Sequence, residues 1–245
     1  MATFYEYQAK VDSMAVDGHN HCRPSAVLEL LQEAATRASV ELGVARESLI
    51  EEYNLFWMMA RIWLRLERPL HWNEDVLVRT WHRGSKGVAM YRDFDLFVGK
   101  EYVGESVSIW VLADINSRKM ARLGNIAALE DTHGGALRKE KSLSKLKTPP
   151  LTPISSRMMQ YSDTDINAHV NNTRYADFAC DALALHKRPS DCFVQELQLG
   201  YLSECRPGDL LELLQGEDET SAYILGNCQG STRFESRIQT AQEEK

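Results

Sequence analysis

The sequence lacks any paired-cysteine pattern. Its 245 residues include five cysteines, an odd number, and no two of them form a Cys-x-x-Cys motif. This usage is typical of free thiols in a reducing compartment and argues against a disulfide framework or a zinc site. We therefore expect a protein that binds no metal ion and folds around ordinary hydrophobic cores.

Long apolar runs and a basic charge balance are also missing. The most apolar stretch, residues 55–66, is interrupted by Arg61 and Arg65, so no membrane span is expected. A net charge of −7 argues against nucleic acid as a partner. The first residues show no signal-peptide pattern, which predicts a cytoplasmic protein.

One polar segment of the second half contains residues of the types that take part in catalysis. Residues 165–172 read Asp-Ile-Asn-Ala-His-Val-Asn-Asn, and in an extended chain Asp165, Asn167 and His169 would share one face. Hydrolysis of an activated acyl group can use a carboxylate, an amide and an imidazole placed together. Residues 173–185 follow with helical spacing, and Asn172 is the predicted N-cap. A polar turn that only caps this helix is the simpler alternative.

A repeat within the chain favours a specific role for this segment. Residues 17–25 align with residues 165–173 at a constant offset of 148, and a helical pattern follows both copies. Pro24 suits the first turn of the first helix. The two halves of the chain therefore have the same order of elements.

A second carboxylate distinguishes the halves. Each has a strand-like run that ends in a proline-containing turn before an acidic residue, Asp75 or Asp209. Aligning these two residues sets Leu70 opposite Glu204. The second half therefore adds a carboxylate to its polar trio, and the first half does not.

The element pattern predicts an α+β fold. Each half has one helix and a largely antiparallel sheet, and one helix against so wide a sheet suggests that the sheet curves around it. We predict domains at residues 1–128 and 154–245, joined by a linker at 129–153 that contains Gly-Gly and Pro-Pro pairs. The two sheets are expected to join edge to edge, which would remove two exposed strand edges.

Longer motifs carry a resemblance to a known family. They are Asp165-x-Asn167-x-His169-Val170-Asn171-Asn172-x-Arg174-Tyr175 and Tyr201-x-x-Glu204-Cys205 in the second half, and Pro69-x-x-Trp72-x-x-Asp75, Thr80-Trp81, Arg92-Asp93-Phe94 and Ser108-x-Trp110-Val111 in the first. With these motifs the chain resembles the acyl-acyl-carrier-protein thioesterases of the plant FatA/FatB type and their bacterial relatives. The resemblance implies two tandem hotdog folds, each a curved antiparallel sheet around one long helix, without a cofactor. It also implies hydrolysis of long- or medium-chain acyl-acyl-carrier protein, which ends fatty acid synthesis.

The catalytic residues are then predicted as Asp165, Asn167, His169, Glu204 and Cys205. We favour water deprotonated by Glu204, with Asn167 on the thioester carbonyl, His169 orienting the water, and Asp165 fixing the histidine tautomer. Backbone N–H groups at the start of the following helix are oxyanion-hole candidates. Cys205 is the competing nucleophile, although a cysteine at a strand end is also a common buried hydrophobe.

Two further groups of residues are predicted to bind the substrate and the carrier. The substrate-binding candidates are Trp57, Met58, Met59, Trp63, Asn171 and Asn172. An acidic carrier needs a local basic surface on a chain that is acidic overall. The candidates for this surface are Arg174, Lys187, Arg188 and Arg206.

Other functions remain open from the sequence. An acyl-CoA thioesterase is the enzymatic alternative, and an acyl-binding double hotdog without activity is the alternative from another class. The resemblance predicts a bacterial, cytoplasmic member that acts on a fatty acyl thioester. The sequence leaves open the chain length of the acyl group and whether the protein forms a homodimer.

Overall fold

Strands dominate the chain, and one antiparallel sheet contains them. The structure is a computed structural model that describes residues 4–121, 126 and 143–243. Within these ranges the strands are β1 (Tyr5–Lys10), β2 (Leu55–Leu66), β3 (Asp75–Lys86), β4 (Ala89–Val98), β5 (Glu101–Asp114), β6 (Met120–Ala121), β7 (Thr152–Met158), β8 (Cys192–Tyr201), β9 (Leu210–Glu217), β10 (Ala222–Cys228) and β11 (Ser231–Gln242). The helices are α1 (Pro24–Glu41), α2 (Arg46–Tyr53) and α3 (Arg174–Ala182).

The sheets of the two halves join through β2 and β8. The strand order is β1-β3-β4-β5-β2-β8-β11-β10-β9-β7, with β6 paired to β5. β2 and β8 pair antiparallel from Arg61 opposite Gly200 to Arg65 opposite Glu196. The predicted edge-to-edge junction is therefore confirmed.

Two helices fill the concave side of the sheet. α1 starts at Pro24, as predicted, and its buried face includes Val27, Leu31 and Ala35. α3 buries Tyr175, Phe178 and other residues in the same core as α1. Within the described ranges, no helix combines the length and the apolar character needed to cross a bilayer.

α3 is shorter than the prediction of residues 173–185, and its cap is different. It ends at Ala182, and Ala184 adopts a left-handed conformation at φ 49°, which leads into a 3₁₀ turn at Leu185–Lys187. The N-cap residue is Thr173, so the prediction of Asn172 is wrong. Asn171 accepts hydrogen bonds from the backbone N–H and the hydroxyl of Thr173, which stabilises the turn before the helix.

The repeat is confirmed at the level of single hydrogen bonds. Asp17 accepts from the backbone N–H of His19, and Asp165 accepts in the same way from Asn167. The fourth residue of each turn is left-handed, Asn20 at φ 67° and Ala168 at φ 58°. Residues 165–170 are therefore a tight turn, which we call the motif turn, and the extended conformation considered from the sequence is wrong.

The alignment of the acidic positions needs a correction of one residue. The backbone N–H of Cys22 donates to the carbonyl of Leu70, whereas that of Val170 donates to the carbonyl of Cys205. Leu70 is therefore the counterpart of Cys205, and Pro69 takes the position of Glu204. The first half still lacks a carboxylate there, because a proline stands in its place.

The predicted linker is only partly visible. Its residues 129–142 lie outside the described part of the chain. Leu143 is buried against Trp63, Val107 and Ile109 on the outer face of the sheet. β7 begins at Thr152, two residues before the predicted start of the second domain at 154.

A carboxylate near the end of β11 clamps the second half to the first. Glu243 Oε2 lies 3.2 Å from His21 Nε2, and its Oε1 lies 2.9 Å from His71 Nε2. Burial raises the pKa of Glu243, but the hydrogen bonds from His71 and His21 together lower it by more. The pKa therefore lies below its ordinary value of 4.5. The ionised carboxylate is thus the form that the folded protein favours.

Glu243→Ala should lower the free energy of unfolding at pH 7 by about 1 kcal/mol, since both bonds to histidine are lost. A carboxyl with a lowered pKa stabilises the fold above its unfolded-state pKa, and this contribution disappears as the pH falls through the folded-state value. The difference from the wild type in urea unfolding should therefore shrink below pH 4.5. Glu219→Ala, in the exposed loop before β10, is the control and should change little at either pH. A Glu243 effect that is equal at pH 3 and pH 7 would contradict the clamp.

Candidate active site

Both halves line a cavity of about 530 Å³. The first half contributes residues from α1, α2 and strands β2 to β5, and the second half contributes the motif turn with Tyr201 and Glu204. Asn167 and Glu204 are exposed at one part of this lining, while His82, Met90 and Arg92 are buried at another. The cavity therefore leads from a solvent-exposed polar cluster into the interior of the first half.

Asp165 holds the motif turn together. Its Oδ1 accepts from the backbone N–H of Asn167 at 2.8 Å, and its Oδ2 accepts from Asn171 Nδ2 at 3.4 Å. Its backbone N–H donates to the carbonyl of His169 at 3.0 Å. Within the described part of the chain, the Asp165 carboxylate bonds to Asn167 and Asn171 and not to the His169 ring. Asp165 therefore holds the turn, and the predicted contact that would fix the histidine tautomer is not formed.

His169 and Glu204 are in direct contact in the site. His169 Nε2 lies 3.0 Å from Glu204 Oε2, and the Glu204 side chain keeps 40% of its surface exposed. The bond from the Val170 N–H to the Cys205 carbonyl joins the two segments and places these side chains next to each other. The prediction that the motif turn and the Glu-Cys pair meet in space is confirmed.

Arg206 competes for the same ring nitrogen. Its Nη2 lies 3.3 Å from His169 Nε2. A guanidinium only donates hydrogen bonds, so Nε2 accepts from Arg206 when it is unprotonated and donates to Glu204 when it is protonated. The ring can thus take either role as a proton moves.

Two arginines of the first half reach the site, and the sequence did not reveal them. Arg46 Nε donates to Asn167 Oδ1 at 3.2 Å, and Arg118 Nη1 lies 3.7 Å from Glu204 Oε1. Arg118 also stacks over the ring of Phe56 at 4.9 Å. Neither arginine belongs to a recognisable motif, and each is far from its partner in sequence, so only the packing of the halves could identify them.

Cys205 points into the protein core. Its side chain is fully buried in the main hydrophobic cluster, and it is not among the described residues that line the cavity. Burial raises the pKa of its thiol, although a hydrogen bond from Tyr175 opposes the effect. A buried thiol with a raised pKa is a poor nucleophile.

The start of α3 offers fewer free donors than predicted. The backbone N–H of Thr173 donates to Asn171 Oδ1, and that of Arg174 donates to the Asn171 carbonyl. Both groups are therefore occupied within the turn. Asn167 is left as the better donor, since its amide oxygen faces Arg46 and, among the residues that the structure describes, none accepts from its Nδ2.

Three of the four predicted aromatic and methionine residues of β2 line the cavity. Trp57, Met58 and Met59 do so, but Trp63 packs on the outer face of the sheet. A β-bulge between Met59 and Arg61 inserts one residue into β2, which moves every later side chain to the opposite face. Trp63 is therefore not a binding residue of this cavity.

Some of the predicted asparagines and basic residues lie at the cavity or on the surface, and others are used in the fold. Asn172 lines the cavity, whereas Asn171 is part of the turn. Arg174 forms ion pairs with Asp177 and with the fully buried Asp163. Its charge is committed to the fold, in contrast to the exposed basic side chains of Lys187 and Arg188. Arg206 is also exposed, but its guanidinium contacts His169.

The buried state of Cys205 can be measured directly. Iodoacetamide should alkylate the half-buried Cys192 at least about tenfold faster than Cys205 in the native protein, because Cys205 lacks both access and thiolate character. Peptide mass spectrometry over a time course measures both rates. In denaturant the two rates should become equal, which serves as the control. Preferential native labelling of Cys205 would contradict the buried placement.

Known families match both halves. Residues 2–126 match the family described as acyl-ACP thioesterase N-terminal domain, and residues 152–244 match the acyl-ACP thioesterase C-terminal domain. An acyl-acyl-carrier-protein hydrolase of Cuphea viscosissima is 26% identical over 229 residues, which cover 88% of this chain and 53% of that protein. A dodecanoyl-acyl-carrier-protein hydrolase of Umbellularia californica is 24% identical over 215 residues, with coverage of 77% and 53%. The chain spans about half the length of these curated relatives.

Solved structures show the same fold. An acyl-ACP thioesterase from Bacteroides thetaiotaomicron superposes with a TM-score of 0.84 at 22% identity, covering 97% of this chain and 98% of that one. A 12:0-ACP thioesterase from Umbellularia californica gives 0.79 at 20% identity, covering 98% of each chain. The α+β double hotdog predicted from the sequence is confirmed. Since family matches extend over both halves, this chain belongs to the acyl-ACP thioesterase family.

Proposed function

We propose that the chain hydrolyses the thioester of a long- or medium-chain acyl-acyl-carrier protein and releases a free fatty acid. The observation that carries the proposal is the 3.0 Å contact between His169 Nε2 and Glu204 Oε2 beside a cavity that reaches into the first half. A base at the exposed end and a long interior space suit an acyl chain whose thioester stays near solvent. Membership of the family supports the same reaction.

Water is the nucleophile in this proposal. Glu204 takes a proton from water while the water oxygen bonds to the thioester carbonyl carbon. The tetrahedral intermediate then collapses, the carbon–sulfur bond breaks, and the thiolate receives the proton that Glu204 holds. The leaving thiol has a pKa near ~8.5 in model compounds, so its departure needs little assistance.

The residues around Glu204 position the water and stabilise the charge that develops on the thioester carbonyl oxygen. Asn167 Nδ2 donates to the carbonyl oxygen as negative charge develops there, and the bond from Arg46 fixes the amide orientation. His169 orients the water between Glu204 and the thioester. Arg118 contacts the other carboxylate oxygen of Glu204, and Asp165 maintains the turn that carries Asn167 and His169.

Acyl-chain binding and catalysis are assigned to different domains. Residues 1–128 would hold the acyl chain, residues 154–245 would carry the chemistry, and 129–153 would connect them. Trp57, Met58, Met59 and Asn172 line the space for the chain. Methionine side chains adapt to a flexible ligand, which suits this role.

An acyl-CoA thioesterase is the second candidate, and the same site would serve it. The carrier is favoured because Lys187 and Arg188 lie exposed just after α3, in the half that carries the motif turn, and the exposed Arg206 follows Glu204 by two residues. An acidic carrier would be guided by such a local basic surface. An acyl-binding protein without activity would gain nothing from the His169–Glu204 pair. Cytoplasmic location, bacterial origin and a homodimer remain predictions.

Glu204→Gln tests the general base. The substitution should reduce kcat by about 10²–10⁴-fold with little change in melting temperature, because the carboxylate is partly exposed and only its basicity is removed. Steady-state hydrolysis of acyl-acyl-carrier protein measures the loss, and Glu219→Gln is the matched control. Near-normal turnover by Glu204→Gln would exclude the water mechanism proposed here.

The docking surface is tested by charge reversal at Lys187 and Arg188 together. The double glutamate variant should raise KM for acyl-acyl-carrier protein several-fold and weaken its salt dependence, with kcat largely unchanged. Hydrolysis of an acyl-pantetheine, which lacks the carrier, should stay the same.

Lys86→Glu with Lys100→Glu, both exposed in the first half, is the control with an equal change in net charge. Arg174 is left unaltered, since its loss would leave the buried Asp163 carboxylate without one of its partners. Equal losses on both substrates would show that Lys187 and Arg188 serve the site or the fold.

A further inference from the structure

The buried part of the cavity lining contains a charged residue, Arg92. On β4 the inward side chains are Met90, Arg92 and Phe94, and all three are buried. Arg92 is 8% exposed and lines the cavity together with His82 on the neighbouring strand. A guanidinium therefore interrupts an apolar stripe in the interior of the first half.

Arg92 belongs to a polar layer that crosses three strands. We use this name for Thr80 and His82 on β3, Arg92 on β4, and Ser108 on β5. His82 is opposite Arg92 in one pair of strands, and Ser108 is opposite Arg92 in the next. Trp110 Nε1 donates to Ser108 Oγ at 2.7 Å, and Ser108 Oγ donates to the Arg92 carbonyl. The layer is thus a continuous polar band behind the cavity wall.

The guanidinium has few partners for its five donors. Its Nη1 donates to Thr80 Oγ1 at 3.3 Å, and this hydroxyl in turn donates to the Asp93 carbonyl at 2.8 Å. In residues 4–121, 126 and 143–243, no carboxylate forms an ion pair with Arg92. The Asp93 carboxylate lies on the other face of the strand, where Arg83 Nε approaches it at 3.3 Å.

Burial lowers the pKa of Arg92 to about 10, so the side chain remains a cation at neutral pH. A buried cation with a single hydroxyl partner is an unfavourable arrangement for stability alone. Ligand cavities use a few polar groups of this kind to fix orientation and to select the ligand. The position of Arg92 on the cavity lining therefore indicates that it binds a polar group of the ligand.

We propose that Arg92 binds an oxygen substituent on the acyl chain, so that the cavity selects acyl thioesters that carry a hydroxyl, oxo or carboxylate group along the chain. This inference rests on the proposed function, since it assumes that the acyl chain occupies the cavity. An oxygen-bearing chain gives the guanidinium an acceptor, whereas a plain hydrocarbon chain leaves its donors unpaired. A hydrogen bond to a charged group corresponds to a preference of about ten- to a hundredfold.

The test compares kcat/KM for thioesters of equal chain length. One series is unsubstituted, one has a hydroxyl or oxo group moved along the chain, and one ends in a carboxylate. The wild type should prefer an oxygen-bearing chain by about ten- to a hundredfold at one position of the group. The series that shows the preference identifies the oxygen group. A ratio of one or less at every position would overturn the proposal.

Arg92→Met keeps an unbranched apolar stem at this position and removes the guanidinium donors. In this variant the ratio between substituted and unsubstituted chains should fall to about one. Arg65→Met, which removes an exposed arginine from β2, is the control and should leave the ratio unchanged. An unchanged ratio in folded Arg92→Met would overturn the assignment to Arg92.

A binding measurement on the wild type separates this inference from the proposed reaction. Pantetheine thioethers with the same alkyl chains, which cannot be hydrolysed and carry no carboxylate head group, should raise the melting temperature, and the oxygen-bearing thioether should raise it more. This result needs no hydrolysis, so it holds even if the protein cleaves no thioester. If the protein hydrolyses unsubstituted thioesters and the substituted thioethers stabilise it no better than the plain ones, the proposed function stands and the role of Arg92 fails.

Discussion

The pairing of β2 with β8 is the interaction on which the rest of the molecule depends. It joins the sheets of the two halves into one, and it brings the motif turn of the second half to the cavity that the first half lines. The cavity is consequently lined by both halves, and arginines of the first half can reach side chains of the motif turn. A site of this kind cannot be completed by either half alone.

The two copies of the turn show how one piece of backbone serves two purposes. In the second half the turn presents His169 to Glu204, which stands at the position of Pro69 in the first half. In the first half the turn presents His21 to Glu243, whose carboxylate comes from the end of β11. Both histidines thus meet a glutamate, but one pair faces a cavity and the other fastens the halves together.

Much of this was predictable from the sequence, for identifiable reasons. The repeat, the helix start at Pro24 and the meeting of Asn167, His169 and Glu204 follow from patterns that are local or repeated. The face of Trp63 was not predictable, because a single bulge residue reverses the alternation of β2. The alignment of Leu70 with Glu204 is wrong by one residue. Only the backbone hydrogen bonds show which residues of the two halves correspond at this point. Arg46 and Arg118 were missed because their roles arise only when the halves pack.

The same β2–β8 pairing determines how the chain must fold. Residues 61–65 find their partners at 196–200, so the contact closes a loop of more than a hundred residues and adds to a slow, non-local folding pathway. During synthesis the first half is complete long before β8 emerges from the ribosome. Until then β2 carries an unpaired edge rich in large apolar side chains, which is the kind of surface that promotes aggregation. The exposed edge of the newly made first half is therefore covered only when β8 has been made and pairs with β2.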